Sequence, residues 1–309
     1  MSVPSAARDL APAALGVAET AEPAHGLGDV VARLARRKIA LVGALLMVVT
    51  VTVGTLGPAF VRDPLRMDVP ARLSAPSNRH WLGTDDVGRD VFSRVVYGAR
   101  LSLLVGAATV MLAVIGGIAC GLVAGYYRTL DNPVMRVMDG LMAFPAIILA
   151  IALMASLGPS VTNVIVALGV VYCPRVARVV RGSVLVIRET PYVEAARALG
   201  ATDLVLLLRH IFPNCLSPVI VQASFVFAAA VLSEAALSFL GVGVPPFIPS
   251  WGNILSEGRL YLMQAPWLVL YPGAAIMITI LGLNLFGDGL RDLLDPRMRG
   301  LSTDKRGAA

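Results

Sequence analysis

The sequence predicts an all-α, polytopic membrane protein with six transmembrane helices. Three observations carry this expectation. Of 309 residues, 57% are hydrophobic and 15% charged, with a mean hydropathy of +0.76, whereas soluble domains carry about 25% charged residues. The apolar residues gather into runs near the ~20 residues that cross a bilayer. Lys and Arg are shared unevenly among the segments between those runs. Backbone groups left unpaired in lipid are costly, so each run is expected to be helical.

Residues 1–32 are rich in Ala, Pro, Gly and acidic residues and show no periodicity, which predicts a disordered cytoplasmic arm. A transmembrane domain, 33–300, follows, and then a cytoplasmic tail, 301–309. The first apolar run, 39–57, comes after Arg33, Arg36, Arg37 and Lys38. The polar stretch before it does not suit a signal peptide, so an uncleaved span is expected. Further spans are expected at 101–125, 141–157, 160–180, 216–241 and 267–286. The fourth is the weakest, because Pro174, Arg175 and Arg178 crowd its end. Pro145 and Pro174 are expected to kink their helices, and Pro218 to lie in a first turn, where proline is tolerated.

With the N-terminus inside, 18 of the 26 Lys and Arg fall on cytoplasmic segments. The positive-inside bias therefore predicts both termini in the cytoplasm. Seven arginines in 58–100 run against this, although Asp63, Asp68, Asp85, Asp86 and Asp90 accompany them. Trp81, Trp251 and Trp267 all fall on or beside the outer side in this topology, where interfacial aromatics collect.

The net charge of +6 admits nucleic acid or a lipid surface as partner. Aromatic residues make up only 6% and no basic stripe carries them, so nucleic acid is not expected and anionic membrane lipid explains the charge. Cys120, Cys173 and Cys215 have no metal-type spacing and read as small apolar residues. His25, His80 and His210 are scattered. Asp85 and Asp86 are adjacent, so their side chains diverge, and no nucleophile stands nearby. No catalytic residue and no metal site is therefore expected. Gly117, Gly121 and Gly125 recur every fourth residue, a spacing that lets two membrane helices approach closely.

Between the fourth and fifth spans lies a compact charged segment, EAARALGATDLVLLLRHIFPN. Thr190 suits an N-cap and Pro191 a first turn. The helix expected over 192–199 puts Tyr192, Ala195, Ala196 and Leu199 on one face, with Glu194 and Arg197 projecting elsewhere. Gly200 supplies a left-handed C-terminal position. Thr202 or Asp203 then opens a second helix, 204–212, which Pro213 is expected to stop. A helix this short needs packing to persist. Its small face suits close approach by another protein; the plainer reading is an amphipathic connector on the membrane.

Glu194-Ala195-Ala196, three residues, Gly200, nine residues and His210-Ile211-Phe212-Pro213 together resemble the EAA signature of bacterial binding-protein-dependent ABC importer permeases. The family pattern ends Ile, any residue, Leu, Pro; His210 and Phe212 depart from it. HWLGTDDVGRDVFSR at 80–94, running on to Tyr97-Gly98-Ala99-Arg100, is similar to the segment before the second span in the C-type permease of dipeptide and oligopeptide importers. LSFLG at 237–241, PSWGN at 249–253, Pro266-Trp267 and Pro272-Gly273 are similar to the same group's last external loop. The resemblance runs over roughly 30–300.

This resemblance implies a permease subunit of the bacterial plasma membrane. It would form half of a translocation pathway for dipeptides or oligopeptides delivered by an external binding protein docked on 58–100 and 242–266. Its partners would be a homologous second permease and two ATP-binding subunits. Short cytoplasmic coupling helices would meet those ATPases through Glu194, Ala195, Ala196, Arg197, Leu199, Gly200 and Pro213. The chain has no G-x-x-x-x-G-K-[ST] loop and no Gly-Lys pair, so it is not expected to be an enzyme. ATP and Mg would be bound by the partners, and no cofactor is expected in this chain. Nickel or glutathione importers share the pattern. A secondary transporter, which would need no ATPase, is the reading from another class.

Glu234 is the one acid deep within an expected span. A charge at that depth costs about 2.5–3.5 kcal/mol on insertion scales. It is expected to face the pore or the permease–permease interface.

Overall fold

The structure is a computed structural model that describes residues 38–294. The expectations for 1–32 and 301–309 lie outside the described residues. Among the described residues it is helical without strands; a lone bridge joins Thr84 to Asp90. Five helices are long and apolar enough to cross a membrane, or up to six if one bent pair counts as a single span.

Helix α1, Lys38–Leu56, carries its apolar residues all round and leaves Ile39, Leu45, Val48 and Leu56 exposed, as a lipid-facing helix does. Two glycines seat it. A Cβ at Gly43 would lie 2.5 Å from the backbone of Phe286, and one at Gly57 would lie 2.6 Å from Val96. Helix α2, Val91–Tyr126, has 36 residues and so runs about 54 Å. It starts at Val91 rather than at 101, with Asp90 as an N-cap accepting from the Ser93 amide at 2.9 Å.

The third expected span is corrected. The apolar run 141–157 is broken at Pro145, the N-cap of the next helix. An amphipathic helix α3, Arg128–Met142, meets α4, Ala146–Leu157, at 91°. The twelve residues of α4 reach only about 18 Å, short of the ~30 Å hydrocarbon layer. Proline lacks the N–H needed to continue the ladder and pushes the residue before it out of helical space, which accounts for the break.

Helix α5, Val161–Ile187, passes through Pro174 and beyond the expected end at 180. Its arginines, which looked like a terminus, pair instead with α3. Arg181 makes a two-point contact with Asp131, Nη2 to Oδ2 at 2.7 Å, and Arg178 donates to Asp139 at 2.6 Å. Arg188 donates to the Gly125 carbonyl at 2.8 Å, satisfying an orphan group near the end of α2. Gly117, Gly121 and Gly125 lie against Val176, Val180 and Val184; a Cβ at each would come within 2.5–2.7 Å of those side chains.

Helix α6, Pro191–Ala198, is followed by one turn, Asp203–Val205, a π-helical stretch, Leu206–Ile211, and α7, Phe212–Phe239. Pro213 therefore does not stop a helix, and Pro218 sits inside α7 rather than in its first turn. The wide π turn absorbs the misfit: Pro213 has no N–H to offer, and the carbonyl of His210 accepts from the Asn214 side chain at 2.7 Å. Helix α8, Trp251–Gly258, and helix α9, Trp267–Leu294, complete the described chain. Pro272 lies within α9. The main core gathers Val105, Val164, Leu168, Val176 and Val226 between α2, α5 and α7.

Candidate functional site

Two constellations stand at opposite ends of α2. At its C-terminal end is the charged helix pair. Thr190 holds the N-cap position of α6, but its hydroxyl donates back to the Ile187 carbonyl instead of capping. Glu194 lies in the first turn, where the helix dipole favours an anion, and Arg197 in the last, where it favours a cation. The C-terminus closes as a Schellman motif. Ala201 N–H reaches the Ala196 carbonyl at 3.1 Å, Gly200 N–H reaches Arg197 at 3.0 Å, and Gly200 has φ +87°.

The helix is anchored by Val193, wholly buried, together with half-buried Ala196. They pack against a group containing Leu206, Leu207 and Ile211. Tyr192, Ala195 and Leu199 turn outward, and Leu199 is 90% exposed. Leu204 and Leu208 of the next segment are exposed as well, as are Glu194 and Arg197. Tyr192, Ala195 and Leu199 thus share one exposed face, while Glu194 and Arg197, also exposed, project from other sides of the helix. Ala196 faces inward, and Pro213 is exposed within the continuous helix that leads to α7.

Three polar contacts tie the pair to the bundle. The Tyr126 hydroxyl, at the end of α2, donates to Asp203 at 2.6 Å. Asn214 donates to the Tyr192 hydroxyl at 3.2 Å and to the His210 carbonyl. The Tyr192 and His210 rings lie 6.5 Å apart. These contacts join the pair to α2 and α7.

The other end of α2 carries a network that reading the chain locally does not reveal. Asp85, fully buried, accepts from the amides of Val87 and Arg89, from Arg89 Nε at 2.6 Å and from Arg94 Nη1 at 2.6 Å. Both arginines also reach Glu257 on α8, Arg89 Nη2 at 2.9 Å and Arg94 Nη2 at 3.0 Å. The carboxylates of Asp85, Asp86 and Glu257 lie within 4.8 Å of one another, and the two guanidiniums supply the opposing charge. Nearby, His80 Nδ1 meets Asp90 Oδ1 at 2.9 Å, while the Ser93 hydroxyl donates to Asp90 Oδ2 at 2.7 Å. Serine and histidine both bond the carboxylate rather than each other.

Glu234 is wholly buried within this chain and opens on no surface of it. Ser102 of α2 donates to one carboxylate oxygen and Ser238 to the other, each at 2.9 Å. Ser238 Oγ in turn accepts from the Val244 amide at 3.1 Å. The group fastens α7 to α2 and to the loop before α8. The serine spacing Glu234, Ser238 is visible in the sequence; Ser102 is not.

Residues 113–300 match the family described as binding-protein-dependent transport system inner membrane component. The chain is 50% identical over 268 residues to a putative peptide transport system permease protein of Brucella suis, covering 86% of this chain and 90% of the relative. It is 45% identical to a dipeptide transport system permease protein of Alkalihalophilus pseudofirmus, covering 86% and 88%. It is 44% identical to a glutathione transport system permease protein of Pectobacterium atrosepticum, covering 72% and 75%.

Proposed function

The chain belongs to the inner-membrane permeases of binding-protein-dependent ABC importers, of the dipeptide and oligopeptide kind, and from this we propose that α6 and its outward ridge are where an ATPase subunit docks. The observation that carries the proposal is the ridge itself. Tyr192, Ala195 and Leu199 stand exposed on a short helix whose other side is locked into the bundle through Val193. A surface that transmits force needs an open contact face and a stiff attachment, and this one has both.

In this reading the chain forms half of the translocation pathway beside a homologous permease, with both termini cytoplasmic. Two ATPase subunits bind and hydrolyse MgATP. Their closure displaces α6, and the push passes through Val193 and Asn214 to α7 and through Asp203 to Tyr126 of α2. Two arrangements of the spans that differ in the open side are thereby biased in turn. An external binding protein would deliver the substrate to the segments 58–100 and 242–266.

Dipeptides or oligopeptides are the substrate class this reading favours, because relatives named for peptide transport match over most of the chain. Glutathione, itself a modified tripeptide, is the second reading, supported by the 44% relative named for it. Co-purification from membranes that express the candidate partners tests the docking proposal. The unaltered chain is expected to bring down an ATPase subunit, and Glu194→Arg or Gly200→Arg to lose it or to lose coupled hydrolysis. Equal recovery and turnover in all three would return the segment to a membrane-surface connector.

A further inference from the structure

Where α1 and α2 meet at the end bearing 57–90, two cavities of about 460 and 510 Å³ share Arg62, Arg79 and Asp90 and so form one cleft. Its two halves differ in chemistry. One half is apolar, walled by Val53 and Gly57 of α1 and its last turn and by Phe92 and Val96 of α2. Phe60 and Trp81, 85% and 67% exposed, stand at its margin, with the Trp81 and Phe92 ring centroids 5.1 Å apart. The other half is polar. It holds Arg62 and Arg66, neither of which has a carboxylate partner among the described residues, beside Arg79, which pairs with Asp68 at 3.2 Å. Asp90 is occupied by His80 and Ser93, and one oxygen of Asp63 accepts from the Leu65 amide. His80, also lining this half, has its buried Nε2 without a hydrogen-bond partner.

We propose that this cleft is a phospholipid site. Arg62 and Arg66 would hold the phosphodiester, and the glycerol and acyl chains would run past Trp81 and Phe60 onto the apolar flank of α1. The inference rests on the juxtaposition of two arginines without carboxylate contacts, lining one cavity, with an apolar trough at the end of the apolar helix α1. Guanidinium groups match phosphate oxygens two at a time, which a carboxylate-free arginine pair is free to do. Exposed Trp and Phe settle at the headgroup boundary. A trough of this kind filled with water would leave apolar surface hydrated at about 25 cal/mol per Å². A lipid already in the adjacent leaflet covers it and neutralises the arginines together. The same loop reaches α8 through Asp85, Arg89 and Arg94, so the lipid would brace the outer face of the permease as well as its edge.

The test uses the full chain purified in detergent and stripped of lipid. The probes are a diacyl phosphatidylethanolamine, a diacyl phosphatidylglycerol, glycerol 3-phosphate, inorganic phosphate and dialanine. Bound mass by native mass spectrometry and the thermal unfolding midpoint are read together. One tightly held diacyl phospholipid per chain is expected, with a raised midpoint. Arg62→Gln with Arg66→Gln should weaken binding by about tenfold or more, as loss of charge-assisted hydrogen bonds implies. Trp81→Ala should weaken the diacyl lipids and leave the soluble phosphates unaffected. Arg72→Gln, an exposed arginine outside the cleft, should bind as the unaltered chain does. The proposal is overturned if Arg72→Gln matches the double variant, or if lipid retention survives in the double variant. Protection by inorganic phosphate alone equal to that by lipid would make it an anion pocket. Arginine-dependent protection by dialanine would make it a peptide site.

Discussion

Arg94, in the first turn of α2, and Glu257, at the end of α8, clasp each other across 163 residues of sequence, and the same guanidinium holds Asp85. The arginine is 1% exposed, so its charge has no recourse to water and depends on these two carboxylates. Removing one member of a buried pair leaves a charge uncompensated, at a cost of about 3–5 kcal/mol. Arg94→Ala leaves both carboxylates to Arg89 alone, so it is expected to lower stability by up to about that amount. Glu257→Gln should cost less, about 1 kcal/mol, because Asp85 still answers Arg94 and glutamine keeps an acceptor. Thermal unfolding of both variants in one detergent checks the order. Equal losses would show that Asp85 does not share the charge.

The glycine ladder gives a sharper size test. A Cβ at Gly121 would stand 2.6 Å from that of Val180, and one at Gly117 2.5 Å from that of Val176. Gly121→Val is expected to force α2 and α5 apart and cost about 1–3 kcal/mol or more, the usual range for overpacking. Val180→Ala in the same chain should recover part of that loss, as neighbours in contact do not behave additively. Gly140→Ala, where nothing lies within 4 Å, should be neutral or stabilising by about 0.5–1 kcal/mol. Denaturation midpoints of the four chains decide it; absence of any rescue would place the strain elsewhere.

For Glu234 the two serine hydroxyls set the expectation. Glu234→Gln keeps an acceptor for one serine and a dipole near the other, so folding and uptake should stay close to those of the unaltered chain. Glu234→Ala strands buried hydroxyls of Ser102 and Ser238 and should cost about 1–3 kcal/mol. Uptake measured beside thermal stability separates the cases. A glutamine variant that folds fully but does not transport would restore a direct role for the carboxyl group.

The elements most legible in the sequence were those whose cause is local. Apolar composition places α1 and α9, and Pro191 and Gly200 place α6, because a first-turn proline and a left-handed glycine act within one turn. Errors came where a distant partner changes what a residue means. Arg94 and Arg100 read as loop charges and delayed the start of α2, yet Arg94 is neutralised by Glu257 from another loop. Pro174, Arg175 and Arg178 read as a terminus, yet α5 runs on past them, with Arg178 paired to Asp139 of α3. Pro213 read as a stop because a proline interrupts a regular α-helix, whereas a π turn gives it room. In Glu234 the cost of a buried acid was visible and its remedy, Ser102, was not.

Gly200 provides the most direct test of the coupling surface, because its constraint is conformational and not steric. Its φ is +87° and a Cβ there would meet nothing within 4 Å. Alanine would fit the space and still oppose the backbone by about 1–2 kcal/mol, loosening the Schellman closure that sets the direction of Ala201 and Asp203. Asparagine tolerates the left-handed region better and should be milder. If α6 transmits force, Gly200→Ala should fold, keep the ATPase attached and transport more slowly, with Gly200→Asn between it and the unaltered chain. Leu199→Arg, which changes the 90% exposed contact residue without touching the backbone, should instead release the ATPase. ATPase recovery and peptide uptake, measured on the same membranes, separate a stiff lever from a simple adhesive patch. Identical behaviour of the Gly200 and Leu199 variants would deny that the closure geometry matters beyond holding the partner.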